Sequence, residues 1–319
     1  MVRELFLAFL AQHDDAAWLR AVDRVHASIH PVDRAATRIW FHLFPLALQR
    51  LMQQPNAADV ARRMTLNGRW QLAEQIDRSH VFLYGHQFWP HAKRVVLDYA
   101  DATNPPGSLD LGSQIHEAAR RTATSAAVDA AVVTGIAAIA LRTLQQVGPT
   151  ALAASPGEVV GAGAYEGRSA NDVMARRGRA ASPAWLGFLR GRHTQSDVTF
   201  NERYAGGRFP LIHSQHLTTA AALDTRQYRA ADPRCAEGPI PVQCRSCSCG
   251  SCWLGILGGE DRLSLMEPRE RDKLAECGVI GDGGPAPLRL ACMTQADGPV
   301  SIVIPPWNGL LGRVIAPID

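Results

Sequence analysis

A chain of 319 residues is long enough for two domains, and a composition of 46% hydrophobic and 20% charged residues suits an ordinary globular protein rather than a disordered or fibrous one. A net charge of +3 is too small to imply nucleic acid as a partner. Seven cysteines, an odd number confined to residues 235–292, argue against a disulfide framework and fit a reducing compartment.

The N-terminal run Leu5–Ala11 is apolar but short. Arg3 and Glu4 precede it and His13, Asp14 and Asp15 follow, which makes a poor signal peptide and a good amphipathic first helix. From there, residues 1–154 read as an all-α helical domain. Ala16–Ile29 sets Trp18, Leu19, Val22, Val25 and His26 on one face. Pro31 fits the first turn of the next helix, which runs through Ile39–Phe44 until Pro45 breaks or kinks it. Ala57–Met64 and Trp70–Ile76 predict two short helices. His80–Tyr99 is apolar and aromatic, with a kink expected at Pro90, and Asn104-Pro-Pro-Gly107 is a break. Gln114–Ala123 and Ala126–Gln146 predict two more helices, the second apolar nearly all round and therefore buried, ended by Gly148-Pro149. Its apolar stretch, Ala130–Leu141, is too short to span a bilayer. The expectation is a soluble, cytoplasmic protein; peripheral membrane association stays open.

Six histidines of this half, His26, His30, His42, His80, His86 and His91, lie in aromatic-rich helices. Two could ligate haem axially, as helical bundles allow. Without a C-x-x-C-H motif such a haem would be non-covalent. The plainer reading is that they are core or interface histidines satisfied by backbone groups. A carboxylate di-iron site needs Glu-x-x-His pairs, which Glu4, Glu74 and Glu117 do not form. The chain has no G-x-S-x-G elbow, P-loop or H-E-x-x-H, so no catalytic residue is assigned.

Residues 155–195 read as a Gly-rich linker and a basic helix. Gly161-x-Gly163 followed by Gly167 is not the dinucleotide-binding spacing. Ser169 should cap a short helix running through Arg179, with Asp172 near its positive end. Arg176, Arg177, Arg179, Arg190 and Arg192 make a basic segment, either a solvated face or a docking patch for an acidic partner or headgroup.

The most informative stretch is Cys244-Arg-Ser-Cys-Ser-Cys-Gly-Ser-Cys252. Cys244, Cys249 and Cys252 are spaced C-x4-C-x2-C, and Cys292 lies downstream, a plant-type [2Fe–2S] pattern. Three thiolates from one tight loop and a fourth from a distant strand can cage two irons and two sulfides. Gly250 suits the loop, because a residue without Cβ permits close backbone approach. With Cys247 the loop also holds two C-x2-C pairs of the kind zinc uses. Four ligands within nine residues can hardly wrap one tetrahedral ion, however. A bacterial [4Fe–4S] run would need cysteine where Gly250 stands. Cys235, Cys247 and Cys277 are therefore read as thiols that are not ligands.

Around these cysteines, residues 196–319 resemble a plant-type [2Fe–2S] ferredoxin domain. Asp197–Phe200 and Phe209–Ile212 are similar to its first two strands, and Leu217–Thr225 to the helix after them. Pro239–Cys244 resembles the lead-in to the cluster loop, and Trp253–Gly259 the strand that leaves it. Arg289–Cys292 and Val300–Pro305 resemble the fourth-ligand strand and the last strand. The chain departs from that pattern in the 39 residues between Cys252 and Cys292, an excess placed in Glu260–Pro287, and in the long irregular stretch Asp224–Glu237. The resemblance implies a multidomain chain: an all-α helical domain over 1–154, the linker and basic helix over 155–195, and an α+β ferredoxin (β-grasp) domain over 196–319.

The cofactor implied is a [2Fe–2S] cluster on Cys244, Cys249, Cys252 and Cys292. Ser246, Ser248, Gly250 and Ser251 are candidates to donate hydrogen bonds to cluster or cysteine sulfurs. The function implied is one-electron relay to a redox partner protein, a dehydrogenase, hydrogenase or reductase. The helical domain docks to that partner or forms a homo-oligomer. An alternative is an oxidoreductase subunit whose helical half binds haem or substrate fed by the cluster; a third is an interaction protein with a structural cluster. Net charge is +5 on residues 1–195 and −2 on 196–319, too little for strong steering. The apolar tail Pro305–Ile315, with Trp307, Leu310, Leu311, Val314 and Ile315, reads as a docking surface or as cover for the helical domain.

Overall fold

The structure, a computed structural model, describes residues 2–42, 75–101, 110–159, 161, 163–177, 195–203, 206–212, 214–230, 234–276 and 287–304. Pro45, the helix expected at Ala57–Met64, most of that at Trp70–Ile76, the break at 104–107, Arg179, Arg190, Arg192, Cys277 and the apolar tail lie outside these residues. The described residues up to Gly161 fall in one compact unit and those from Gly163 in a second. The first is helical; the second is built on a mixed sheet.

In the first unit, α1 (Val2–Ala11) is followed by α2 (Asp15–Val25). Asp14 starts α2 by accepting the Ala17 N–H at 2.7 Å, which satisfies an orphan donor of the first turn. Helix α3 (Pro31–His42) opens on Pro31, where the missing N–H costs no helical bond. A short helix α4 (Gln75–Arg78) leads to a 3-10 turn at Tyr84–Phe88 and then to α5 (Trp89–Asp101). Pro90 thus stands in the first turn of α5 rather than at the expected kink, for the same reason as Pro31. Helix α6 (Leu111–Ala126) is capped by Asp110, and α7 (Ala130–Ala154) by Asp129. At Gly148 (φ 77°, ψ 164°) the backbone leaves helical geometry, so the first helix of α7 ends there as expected, and a second, short one runs from Pro149 to Ala154 across the kink.

Helix α7 is 25 residues long and, by length and composition alone, apolar enough to cross a membrane; 67% of its most apolar window is buried inside the protein. Its residues Val133–Leu144 are buried throughout, as expected of a helix apolar on every face. Trp18, Trp40 and Trp89 are fully enclosed. Two buried carboxylates here are held by hydrogen bonds, which offsets the cost of burying their charge. Asp33 accepts the N–H groups of Tyr84 and Gly85, each at 2.7 Å. Asp77 accepts Trp89 Nε1 at 2.7 Å and the Gly157 N–H at 2.8 Å, with Lys93 Nζ 3.8 Å away.

The second unit begins with a 3-10 turn at Gly163–Tyr165 and helix α8 (Ala170–Arg177). Ser169 and Asp172 form a reciprocal capping box: Ser169 Oγ accepts the Asp172 N–H at 3.2 Å, and Asp172 Oδ2 accepts the Ser169 N–H at 3.1 Å. Then come β1 (Gln195–Phe200), β2 (Gly207–Ile212), β3 (Gln215–His216), α9 (Leu217–Ala221), β4 (Trp253–Gly258), α10 (Pro268–Glu276), β5 (Leu288–Leu290), β6 (Gln295–Ala296) and β7 (Val300–Val303).

Five strands make one sheet in the order β2-β1-β7-β4-β5, while β3 and β6 pair separately. β1 runs antiparallel to β2 and parallel to β7, with Val198 opposite Val300. β7 and β5 run antiparallel to β4 on either side. All four residues of the central β7 are buried, as a strand covered on both faces requires. At the end of β1, Glu202 accepts Arg177 Nε at 2.6 Å and the hydroxyl groups of Tyr165 and Ser301. Arg177, from the segment read as a basic face, is thus a buried ion-pair partner that ties α8 to the sheet.

Candidate metal centre

The cysteine loop leaves Pro241 without regular structure and re-enters the sheet at Trp253. Three of its residues take left-handed backbone, Arg245 (φ 53°), Cys247 (φ 63°) and Gly250 (φ 68°). Only the last is a glycine, so the loop holds two residues in a conformation that costs L-amino acids free energy. Such a winding turns successive N–H groups inward, the arrangement that makes anion-binding concavities. The Ser246 and Cys249 N–H groups both donate to Cys244 Sγ, each at 3.4 Å.

Cys292 reaches the loop from the opposite edge of the β4–β5 ladder. Trp253 pairs with Leu290, and the Ala291 N–H donates to the Cys252 carbonyl at 3.0 Å. That register sets Cys252 beside Cys292. The Ala291 carbonyl in turn accepts the Thr218 N–H at 3.3 Å, and the Thr294 carbonyl the Leu217 N–H at 3.0 Å, which fixes the turn against α9.

The four thiols influence one another in two pairs. One is Cys244 with Cys249; the other is Cys252 with Cys292. Burial pushes the Cys244 thiol up, but hydrogen bonds from Ser248, the Ser246 amide and Cys249 outweigh it and hold the group at about 5. In the second pair, contact with Cys292 and burial raise Cys252, while donation from Cys252 lowers Cys292. The backbone amide of Cys247 also favours the Cys292 thiolate. Burial raises the Cys247 thiol, and its Sγ donates to the Arg269 carbonyl at 3.5 Å. Cys235 Sγ donates to the Pro239 carbonyl at 3.4 Å.

Among the described residues no group of three or more His, Cys, Asp or Glu side chains converges as one metal ion requires. Two pairs of thiols are instead what a two-iron group asks of its protein, a pair for each iron. The residues that could hold a [2Fe–2S] group are therefore Cys244, Cys249, Cys252 and Cys292. The donor set fits: all four are thiols, and the amides of Ser246 and Cys249 point at the Cys244 sulfur.

Each of the four further residues singled out in the sequence has a place here. Ser246 contributes its backbone amide, while its hydroxyl faces that of Ser248 at 3.1 Å. Ser248 bonds to Cys244. Ser251 Oγ lies 3.1 Å from Cys249 Sγ. Gly250 supplies the left-handed turn before Cys252.

Three residues were not singled out in the sequence: Arg269, Glu270 and Arg289. Glu270 is fully buried in the first turn of α10. It pairs with Arg289 through two bonds of 2.9 Å and accepts the Leu290 N–H at 2.7 Å. Arg269 donates to the Ser246 carbonyl at 2.8 Å. No spacing rule marks these residues, because their partners lie about twenty positions away.

The histidines of the helical unit serve several local environments. His80 and His86 are fully buried with their Nδ1 atoms 2.9 Å apart, and His80 packs on Trp89 at 4.1 Å between ring centroids. Two imidazoles at that separation leave no room for a macrocycle between them. His42 Nδ1 bonds the Arg38 carbonyl at 2.8 Å, His30 Nδ1 accepts the Val32 N–H at 3.2 Å, and His91 Nδ1 lies 2.9 Å from Ser125 Oγ. Burial lowers the pKa of His26 and His42.

Compared with known protein families, curated proteins and solved structures, the chain matches none of them.

Proposed function

We propose that the protein is an electron carrier whose second unit is a plant-type [2Fe–2S] ferredoxin domain and whose helical unit docks it to a redox partner, a dehydrogenase, hydrogenase or reductase. The observation that carries this reading is the β4–β5 register, which brings Cys292 to the loop of Cys244, Cys249 and Cys252, where the Ser246 and Cys249 amides donate to the Cys244 sulfur. Those are the four cysteines of the C-x4-C-x2-C…C spacing. The sheet order β2-β1-β7-β4-β5, with a parallel β1–β7 pair between two antiparallel edges, supports a β-grasp fold.

When bound, the cluster supplies transfer of one electron at a time. The chain's own residues do the rest. The four thiolates hold it. The Ser246, Cys249 and Cys247 amides and the hydroxyls of Ser248 and Ser251 offset negative charge on the sulfurs, which raises the reduction potential. Trp253, which follows Cys252 in the chain, is buried, while Ser246 and Ser248 are exposed, where a partner can approach.

Iron and acid-labile sulfide content tests the proposal. Two of each per chain are expected, lost in Cys244→Ala, Cys249→Ala, Cys252→Ala or Cys292→Ala and kept in Cys235→Ala, Cys247→Ala or Cys277→Ala. A normal cluster in Cys292→Ala together with loss in Cys247→Ala would refute the ligand assignment.

A further inference from the structure

Resting on the reading of Cys244, Cys249, Cys252 and Cys292 as cluster ligands, we infer that Glu270 is a positioning residue that locks the strand carrying Cys292 to the loop carrying the other three. The argument begins with the cost of a buried carboxylate. Glu270 has no exposed surface, and a charge so placed is tolerated only when its oxygens are fully engaged. They are. Oε1 accepts Arg289 Nε at 2.9 Å and the Leu290 N–H at 2.7 Å, and Oε2 accepts the second Arg289 nitrogen at 2.9 Å. Arg289, only 7% exposed, uses its remaining nitrogen on the Ser264 carbonyl at 2.8 Å.

Arg289 and Leu290 belong to β5, and Cys292 is two residues further along the chain. The helix that supplies Glu270 also grips the ligand loop. The residue before it, Arg269, donates to the Ser246 carbonyl at 2.8 Å and accepts the Cys247 thiol on its own carbonyl at 3.5 Å. One turn of α10 therefore fastens both arms of the cage. It also occupies the thiol of the fifth nearby cysteine, which keeps Cys247 turned to a carbonyl. This turn lies within the 39 residues that separate Cys252 from Cys292. That long connection thus has work to do: it adds a bridge between the three-thiol loop and the lone fourth thiol to the three residue pairs of the β4–β5 ladder and the Ala291–Cys252 bond.

Two variants of the full-length protein separate positioning from mere stability. Glu270→Gln keeps the shape but removes the charge and leaves Arg289 without its carboxylate. It should release iron to a chelator about 10–100-fold faster than wild type, the usual effect of losing a group that orients metal ligands. Its midpoint potential should rise, because the negative charge of Glu270, which acts on Cys292, is removed and the reduced state carries the extra electron. The double variant Glu270→Met with Arg289→Met replaces the pair by apolar groups of similar length, an exchange that cores often accept without loss of stability. It should unfold at the wild-type temperature yet still lose iron faster, and the Leu290 amide should exchange faster in the cluster-free chain. If Glu270→Gln does not fold, the double variant alone decides. A double variant with wild-type iron retention, wild-type potential and wild-type Leu290 exchange overturns the inference and leaves Glu270 as ordinary core. A wild-type chain that assembles no iron and sulfide overturns the proposed function instead, and amide exchange in that chain still decides whether Glu270 fastens β5.

Discussion

Asp224 shows how much one side chain organises in the irregular stretch before the cysteine loop. Its carboxylate accepts Arg226 Nε at 2.9 Å, a second Arg226 nitrogen at 2.6 Å and the Tyr228 hydroxyl at 2.6 Å. The bond from Arg226 is the first cause of its lowered pKa. A depressed carboxylate contributes stability that is present above its unfolded value near 3.8 and lost as pH falls through the lower folded value. Asp224→Asn should therefore destabilise the protein at neutral pH by about 1.5–3 kcal/mol, and the gap to wild type should narrow below pH 3.8 in urea titrations. A gap unchanged across that range would mean that the charge of Asp224 is not what matters. At this scale the sequence is uneven evidence. Cys244, Cys249, Cys252 and Cys292 stand out in the sequence because their spacing follows a known ligand pattern. Asp224–Arg226–Tyr228, Glu270–Arg289 and Arg177–Glu202 are not, since an ion pair requires only proximity in space and leaves no period along the chain.

Among the elements, the Gly-rich stretch reads in sequence as a connector, and its glycines have unequal weight in the fold. Gly163 sits at φ 52°, and a Cβ there would run into the Arg203 carbonyl, while Gly161 and Gly167 face open space. Gly163→Ala should cost about 1–2 kcal/mol from left-handed backbone alone and more from the collision, read as a fall in thermal midpoint. Gly161→Ala should be silent by the same measurement. Equal effects at both positions would contradict the packing of this turn. Elements with chemical punctuation were legible: Pro31 starts α3, Ser169 and Asp172 start α8, and the apolar runs became β2, β4 and β7. Pro90 was misread because the same missing N–H that kinks a helix interior is harmless in a first turn.

For the whole molecule, the boundary between the units has a measurable consequence. Residues 163–177 supply Tyr165, Val173 and Arg177 to the interior of the second unit. A fragment of residues 163–319 should fold and take up iron and sulfide. A fragment of 196–319 should be less stable, because Glu202 loses the Arg177 partner that neutralises it in a half-dry site. Equal denaturation midpoints for the two would show that α8 adds nothing. The balance of −2 on residues 196–319 also predicts that electron transfer to a partner slows only shallowly with added salt. A steep dependence would mean a charge-steered shuttle.

The position of β7 has a further consequence, for the history of the molecule rather than its finished form. The central strand of the sheet is the one encoded last, and it pairs with the one encoded first, Val198 with Val300. Pairings that distant close slowly, because the intervening chain must be ordered before the contact stabilises it. During translation the loop thiols from Cys244 to Cys252 emerge some forty residues before Cys292 and longer still before β7 can seat between its neighbours. For that interval the nascent chain presents unpaired thiols and two unclosed strand edges, a state prone to oxidation and self-association. On the proposed reading, cluster assembly is a late event that follows closure of the sheet, and the unpaired thiols are open to oxidation well before it.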